Sequence, residues 1–268
     1  MTELLYEEQT YQLQGLIFEV RKRLMAGWSE EVYHRALVQL LQEKNIPVLF
    51  KPRRSFVHRQ TEVHVFEPDL IVWDAIILEL KVLPYDKNFA GAHYAQLIHY
   101  LKFFGKELGL LINFGPTRAL IKRVVWSESE LEIEENYDGI RKDLSTTDRQ
   151  CLKLIRHCLI TIAKQYGLGY PESLYRKIMA LELEFQGLTC ELEARIPAPW
   201  NKDLLAQQLT DHLLVADQHL INIRSLLERP PLYDFARTKT YLAALGLNFG
   251  LVVNFSHKEL QIYGVKSG

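Results

Sequence analysis

Residues 61–83 read TEVHVFEPDLIVWDAIILELKVL, two β-rich runs that meet at Trp73-Asp74. Such runs on either side of a short turn predict a hairpin. Asp69 and Glu79 are equally far from residue 74. They should therefore face each other across the strands, where Cβ atoms lie about 5 Å apart. Side chains alternate along a strand, so Glu79 and Lys81 share one face while Ile76, Leu78, Leu80 and Val82 line the other. Two carboxylates and one ammonium then converge on one side of a strand pair. Carboxylate oxygens, a backbone carbonyl and waters make the oxygen shell that Mg²⁺ prefers. A cation there can polarise a phosphate and lower the pKa of a bound water. The lysine can position that water or stabilise charge developing on phosphate oxygens.

Working outward, the hairpin sits inside a unit that the chain contains twice. GWSEEVY (27–33) and GYPESLY (169–175) both fit Gly-x-x-Glu-x-x-Tyr. Each opens a helix: Val32, Leu37, Leu40 and Leu41 recur at helical spacing, with Ser29 as N-cap and Asn45 as terminator. The second helix has Pro171 at its start and Gly187 past its end. Downstream, AQLIHYLKFFGKELGLLINFG (95–115) aligns with ARTKTYLAALGLNFGLVVNFS (236–256), sharing Tyr100/Tyr241, Gly105/Gly246, Gly109/Gly250 and Asn113-Phe114/Asn254-Phe255. This reads as a tandem duplication. Each copy is predicted to run helix, helix, three strands, helix, strand, an α+β plan.

The totals fit a globular chain of one large or two ordinary domains: 268 residues, 48% hydrophobic and 24% charged. No run approaches the roughly 20 apolar residues of a membrane helix. The polar, acidic start MTELLYEEQTYQLQG is unlike a signal peptide. Cys151, Cys158 and Cys190 match no zinc or disulfide pattern, which points to a cytoplasmic protein without a membrane partner. Net charge is +2 over 1–126, −6 over 127–138 and +3 over 139–268. The acidic run therefore reads as a connector, giving domains at 1–126 and 146–268 with a linker at 127–145.

Pro68-Asp69, nine residues, then Glu79-Leu80-Lys81 resembles the signature of the PD-(D/E)XK nuclease superfamily. Together with GxxExxY, HYAQLIHYLK and LLINFG, residues 11–126 resemble its GxxExxY-protein family. The resemblance implies two tandem restriction-endonuclease-like α/β domains, each a mixed central sheet flanked by helices. It implies phosphodiester hydrolysis supported by Mg²⁺ or Mn²⁺, with Asp69 and Glu79 as metal ligands and Lys81 as the catalytic lysine. Glu30 would approach the metal from its helix, or would simply be a helix-start carboxylate favoured by the dipole. Gly27 and Tyr33 would be architectural, the tyrosine hydroxyl tying helix to sheet. Gln96 and Tyr100 match the Gln-x-x-x-Tyr helix of RecB-like nucleases, and His93 shares their face at i, i+3, i+7. These would orient the site or the nucleic-acid backbone, or be buried, satisfied polar groups. Lys51, Arg53, Arg54 and Arg59 form a basic patch able to touch phosphates, or a solvated charge run.

In the second copy, aligning LIVWD with LLVAD sets His212 against Asp69, Asn222 against Glu79 and Arg224 against Lys81. Pairing Asp211 with Asp69 through a bulge still leaves no carboxylate opposite. Gln96 becomes Arg237 and His93 becomes Asp234. A neutral His and Asn cannot supply the anionic field that holds Mg²⁺. His212 and His219 lack a third partner for a softer metal. The second copy thus reads as a degenerate pseudo-nuclease, in which Arg224 and Arg237 favour phosphate. The expected function is a metal-dependent nuclease acting on nucleic acid, DNA foremost, with one site per chain. A single site predicts nicking or end-trimming. The second copy would dock against the first in place of a homodimer partner, bind substrate or contact another protein, and a double-strand cut would need two chains, a homodimer. The rivals are a non-catalytic nucleic-acid or protein-binding module, and hydrolysis of a nucleotide messenger.

Overall fold

The computed structural model describes residues 5–84, 88–128, 130–200, 203–256 and 258–267. The chain divides into two compact units, residues 1–56 with 64–128, and residues 57–63 with 129–268.

The first unit carries α1 (Glu7–Leu24), α2 (Glu30–Glu43), β1 (Val48–Phe50), β2 (Arg54–His58), β3 (Thr61–Phe66), β4 (Leu70–Val72), β5 (Ile76–Lys81), α3 (Gly91–Phe104), β6 (Leu108–Asn113) and β7 (Leu120–Val125). The tip of the β2–β3 hairpin belongs to the second unit. The main sheet runs β1-β4-β5-β6-β7, with β5 and β6 parallel and the other pairs antiparallel. One face buries Ile76, Leu78 and Leu80 against Leu13, Ile17 and Val20 of α1 and Leu37, Leu40 and Leu41 of α2. This is the apolar side read from the alternation in β5. The other face meets α3, whose Leu97 and Leu101 are fully buried and whose Leu97 lies over Gly109.

The second unit carries β8 (Glu132–Asn136), α4 (Thr146–Tyr166), α5 (Glu172–Phe185), β9 (Cys190–Glu191), β10 (Arg195–Trp200), β11 (Asp203–Leu209), β12 (Leu213–Val215), β13 (His219–Arg224), α6 (Leu232–Leu245), β14 (Phe249–Phe255) and β15 (Glu259–Lys266). Its sheet runs β9-β12-β13-β14-β15-β8, again with a parallel pair linked through a helix, β13 and β14, and with a second parallel pair, β15 and β8. Strand for strand this is the first unit's order plus β8. A separate hairpin, β2–β3 or β10–β11, accompanies each sheet.

Each copy has more strands than the sequence predicts, because two features were unreadable. The β2–β3 turn uses Arg59 and Gln60, both at positive φ, in place of the Asn-Gly pair that signals such a turn. The segment read as an acidic connector contains β8, paired in parallel with β15. Two of its charges are paired: Glu135 accepts from the Arg156 guanidinium at 2.6 Å, and Glu134 from Arg229 at 2.9 Å.

The GxxExxY frame is built alike in both units. Gly27 (φ 103°) and Gly169 (φ 86°) turn the chain where a side chain would be strained. The Tyr33 hydroxyl donates to the Met25 carbonyl at 2.6 Å, and its ring stacks on Phe114 at 4.6 Å. Tyr175 donates to Gly167 at 2.8 Å and stacks on Phe255 at 3.9 Å. The hydroxyl thus ties α2 to the loop before it, while the ring makes the contact to the sheet. The shared asparagines are also structural. Asn113 Oδ1 accepts from Leu83 and Gly115 backbone N–H groups, and Asn254 Oδ1 accepts from Leu226.

Candidate metal centre

Val72↔Ile76 and Leu70↔Leu78 fix the β4–β5 register, which continues to Asp69 opposite Glu79. Asp69 stands just before β4, where its Oδ2 accepts from the Leu80 backbone N–H at 2.7 Å. Glu79 is 1% exposed. Its Oε1 accepts from the Lys81 ammonium at 2.6 Å, while its Oε2 is buried with no hydrogen-bond partner. Burial, then the neighbouring Asp69, pushes the Glu79 carboxyl from 4.5 to about 7, against the pull of Lys81. Burial opposes the charge on Lys81, but the carboxylates of Glu79, Glu30 and Asp69 outweigh it and hold the ammonium above its ordinary value.

From the other side, the start of α2 brings Glu30 and His34 to Asp69. Ligand atoms of Glu30, His34 and Asp69 lie within 4.8 Å of one another. His34 is 2% exposed, and its Nε2 lies 3.1 Å from Asp69 Oδ2. Neither ring nitrogen has a well-aligned hydrogen-bond partner. The sequence reading grouped Asp69, Glu79 and Glu30; it missed His34. The signal was available in EEVYH, since i and i+4 share a helix face. Buried polar atoms without partners are rare in folded proteins. Glu79 Oε2, without a hydrogen-bond partner among the described residues, and the His34 imidazole beside Asp69 suit a cation bound by oxygen and imidazole nitrogen, so these residues fit a divalent metal.

The remaining predicted residues divide. Gln96 donates to the Tyr100 hydroxyl at 3.1 Å. Burial raises the Tyr100 pKa, with smaller contributions from Glu79 and Asp69, which places this ring beside the carboxylates. His93 instead caps α3, its Nδ1 accepting from Ala90 N–H at 3.1 Å. The basic patch is dispersed. Lys51 pairs with Glu31 at 2.8 Å, and that ion pair holds Glu31 down to about 2. The Arg54 guanidinium lies 5.3 Å from the Phe104 ring. Arg53 is exposed. Arg59, within the second unit, makes two bonds to Glu182 at 2.8 and 3.1 Å.

The second unit keeps the register and changes the contents. Leu213↔Ile221 and Val215↔His219 continue to His212 opposite Asn222. His212 is fully buried between the hydroxyls of Thr210 at 2.7 Å and Thr238 at 3.2 Å. Arg224 pairs with Asp234 at 3.2 Å and Glu172 at 3.3 Å, and Arg237 with Asp211 at 3.2 Å. The arginines read as favouring phosphate are therefore already paired with carboxylates. His219 stacks on Phe249, away from His212. Among the described residues, the group able to hold a metal lies in the first unit.

A mixed sheet with a β5–α3–β6 crossover, an Asp/Glu-x-Lys strand pair and a carboxylate-bearing helix start define a nuclease-like α/β class. The family profile described as the PD-(D/E)XK nuclease superfamily matches residues 7–124 and again 149–264, and the chain belongs to that superfamily. No curated protein matches. The chain is also similar to a solved structure titled "Crystal structure of SSO0001", at 20% identity and a TM-score of 0.30, over 46% of this chain and 61% of that one.

Proposed function

We propose that the chain is a divalent-metal-dependent nuclease that hydrolyses phosphodiester bonds of nucleic acid, DNA foremost, at one site in its first unit. The observation that carries this reading is the convergence of Glu30, His34 and Asp69, whose ligand atoms lie within 4.8 Å of one another, beside the buried Glu79 carboxylate and its Lys81 partner. Glu30, His34 and Asp69 would hold the cation, Mg²⁺ or Mn²⁺, and Glu79 would offer Oε2. Bound there, a divalent ion supplies polarisation of the scissile phosphate and a water of lowered pKa. Leu80 N–H keeps Asp69 oriented toward that position. The Lys81 ammonium, tethered to Glu79 Oε1, is placed to offset negative charge on the phosphate oxygens as water adds and the ester oxygen leaves. Tyr100, braced by Gln96, would help orient the site or the nucleic-acid backbone.

The second unit contributes no catalysis in this reading; its Arg224 and Arg237 are already paired with carboxylates. The test is cleavage of single- and double-stranded DNA and RNA with Mg²⁺, Mn²⁺ or EDTA, alongside Glu79→Ala and Lys81→Ala. Metal-dependent cleavage lost in both variants supports the reading. Equal inactivity of all three proteins on every substrate overturns it and leaves a binding module.

A further inference from the structure

The first unit has a second feature that none of the sequence motifs marks. A cleft of about 610 Å³ opens between the end of α1 and the β6–β7 loop. Phe18, Arg21, Lys22, Met25, Thr117 and Arg118 line it, and no carboxylate does. Arg21 is 7% exposed and fixed by donation from its Nε to the Pro116 carbonyl at 2.8 Å. The Arg118 guanidinium lies 4.6 Å from the Phe18 ring centre. Lys22 and Arg118 form no ion pair with any described residue, in contrast to Lys51, Arg59, Arg156, Arg224, Arg229 and Arg237. Three cations in one concavity without an acid concentrate positive potential there.

The walls of the cleft lead to the candidate metal centre. Met25, held by the Tyr33 hydroxyl, is followed within a few residues by Glu30. Pro116 follows Asn113, the strand neighbour of Lys81. Between Met25 and Glu30 in the chain stands Trp28, 52% exposed, its indole N–H fixed on the Leu24 carbonyl at 2.9 Å. Cations that track a backbone, with an anchored aromatic face, are the means by which proteins hold single-stranded nucleic acid.

We infer that this cleft binds backbone phosphates of a single-stranded nucleic acid, with a base on Trp28, so that the adjoining phosphodiester lies at the metal centre. The inference rests on the nuclease reading for its substrate, and its test uses binding alone. A fluorescein-labelled oligothymidylate is titrated by anisotropy in EDTA across a salt series. A duplex and inorganic phosphate serve as comparison ligands. Lys22→Gln/Arg118→Gln, both at exposed positions, should weaken oligothymidylate binding on the order of tenfold and flatten the log–log salt slope by roughly 1.4, about 0.7 per lost contact. Trp28→Ala should weaken it by about fivefold or more. Lys239→Gln/Lys258→Gln, which removes equal charge from the second unit, should leave binding unchanged.

If the cleft variant binds like wild type, or the control pair weakens binding equally, the cleft assignment is overturned while cleavage data still stand. Tighter binding of duplex or of inorganic phosphate overturns the single-strand assignment. Wild type that binds through the cleft yet cleaves nothing supports the cleft and sinks the nuclease reading.

Discussion

The two units share a sheet order, a tyrosine latch and an asparagine clamp, but differ in the middle of one strand pair. In the first unit, Asp69 and Glu79 face each other beside Glu30 and His34, and buried atoms are left without partners. In the second, His212 is satisfied by two threonine hydroxyls, and Arg224 and Arg237 are paired with Asp211, Asp234 and Glu172, although the amide of the fully buried Asn222 also has no hydrogen-bond partner among the described residues. The lesson is that a buried polar site can be stabilised in two ways. It can be left open for a ligand at a cost to the free protein, or closed with internal ion pairs that cost it a binding role. A frame that is indifferent to which option fills it can be duplicated and then diverge.

The sharpest break in the comparison is catalytic. Glu79→Ala should lower cleavage by at least about 10³-fold, since it removes both a metal-facing oxygen and the partner of Lys81. Asn222→Ala, its register counterpart, should leave cleavage unchanged in the same gel assay. A loss there with folding intact would show the second unit to be chemically engaged.

Next in size, Arg224→Met should destabilise the second unit by about 3 kcal/mol, because Asp234, 3% exposed, loses its 3.2 Å partner and is left with Arg237 alone at 3.6 Å. Urea unfolding measures this, and Lys81→Met should be milder, because Glu79 can protonate near neutral pH.

The pH response should separate the units as well. Glu79 is faced by Asp69 and Glu30, which raise its pKa, by Lys81, which lowers it, and by Tyr100. Its folded value of about 7 exceeds its ordinary 4.5. The native state therefore binds the extra proton, and this stabilisation, on the order of 3 kcal/mol, is complete below 4.5 and lost as pH rises through about 7. Metal-free Tm should fall across that window, and Mn²⁺ should raise Tm far more at alkaline than at acidic pH. Glu79→Gln should flatten both trends.

The smallest effects should differ between the units. Tyr33→Phe strips a hydroxyl from one carbonyl and should lower stability by about 1 kcal/mol in chemical unfolding, whereas Tyr175→Phe also orphans the Tyr170 N–H and should cost about 2 kcal/mol. Equal losses would mean that the second hydrogen bond of Tyr175 contributes nothing.

Much of the site was legible because it depends on local periodicity. Strand alternation and the turn at Trp73-Asp74 were enough to set Asp69 opposite Glu79, and their duplication was enough to set His212 opposite Asn222. What escaped were features that depend on neighbours distant in sequence. Lys51, Arg59, Arg224 and Arg237 read as phosphate contacts until their carboxylate partners, far along the chain or across a strand, came into view. The acidic run around Glu134 and Glu135 read as a solvated connector until Arg156 and Arg229 supplied the counter-charge that lets it form a strand.

The sequence by itself determined the repeated unit, the register of the β4–β5 pair and its β12–β13 counterpart, and the apolar side of β5, because side-chain alternation and helical spacing act over a few residues. Tertiary structure alone decided which charges are spent and which are free. It brought His34 to Asp69, closed the second unit's centre with ion pairs, and left Arg21, Lys22 and Arg118 unopposed in one cleft. Charge pairing is a matter of distance in space, and distance in space is fixed only when the sheet and helices pack.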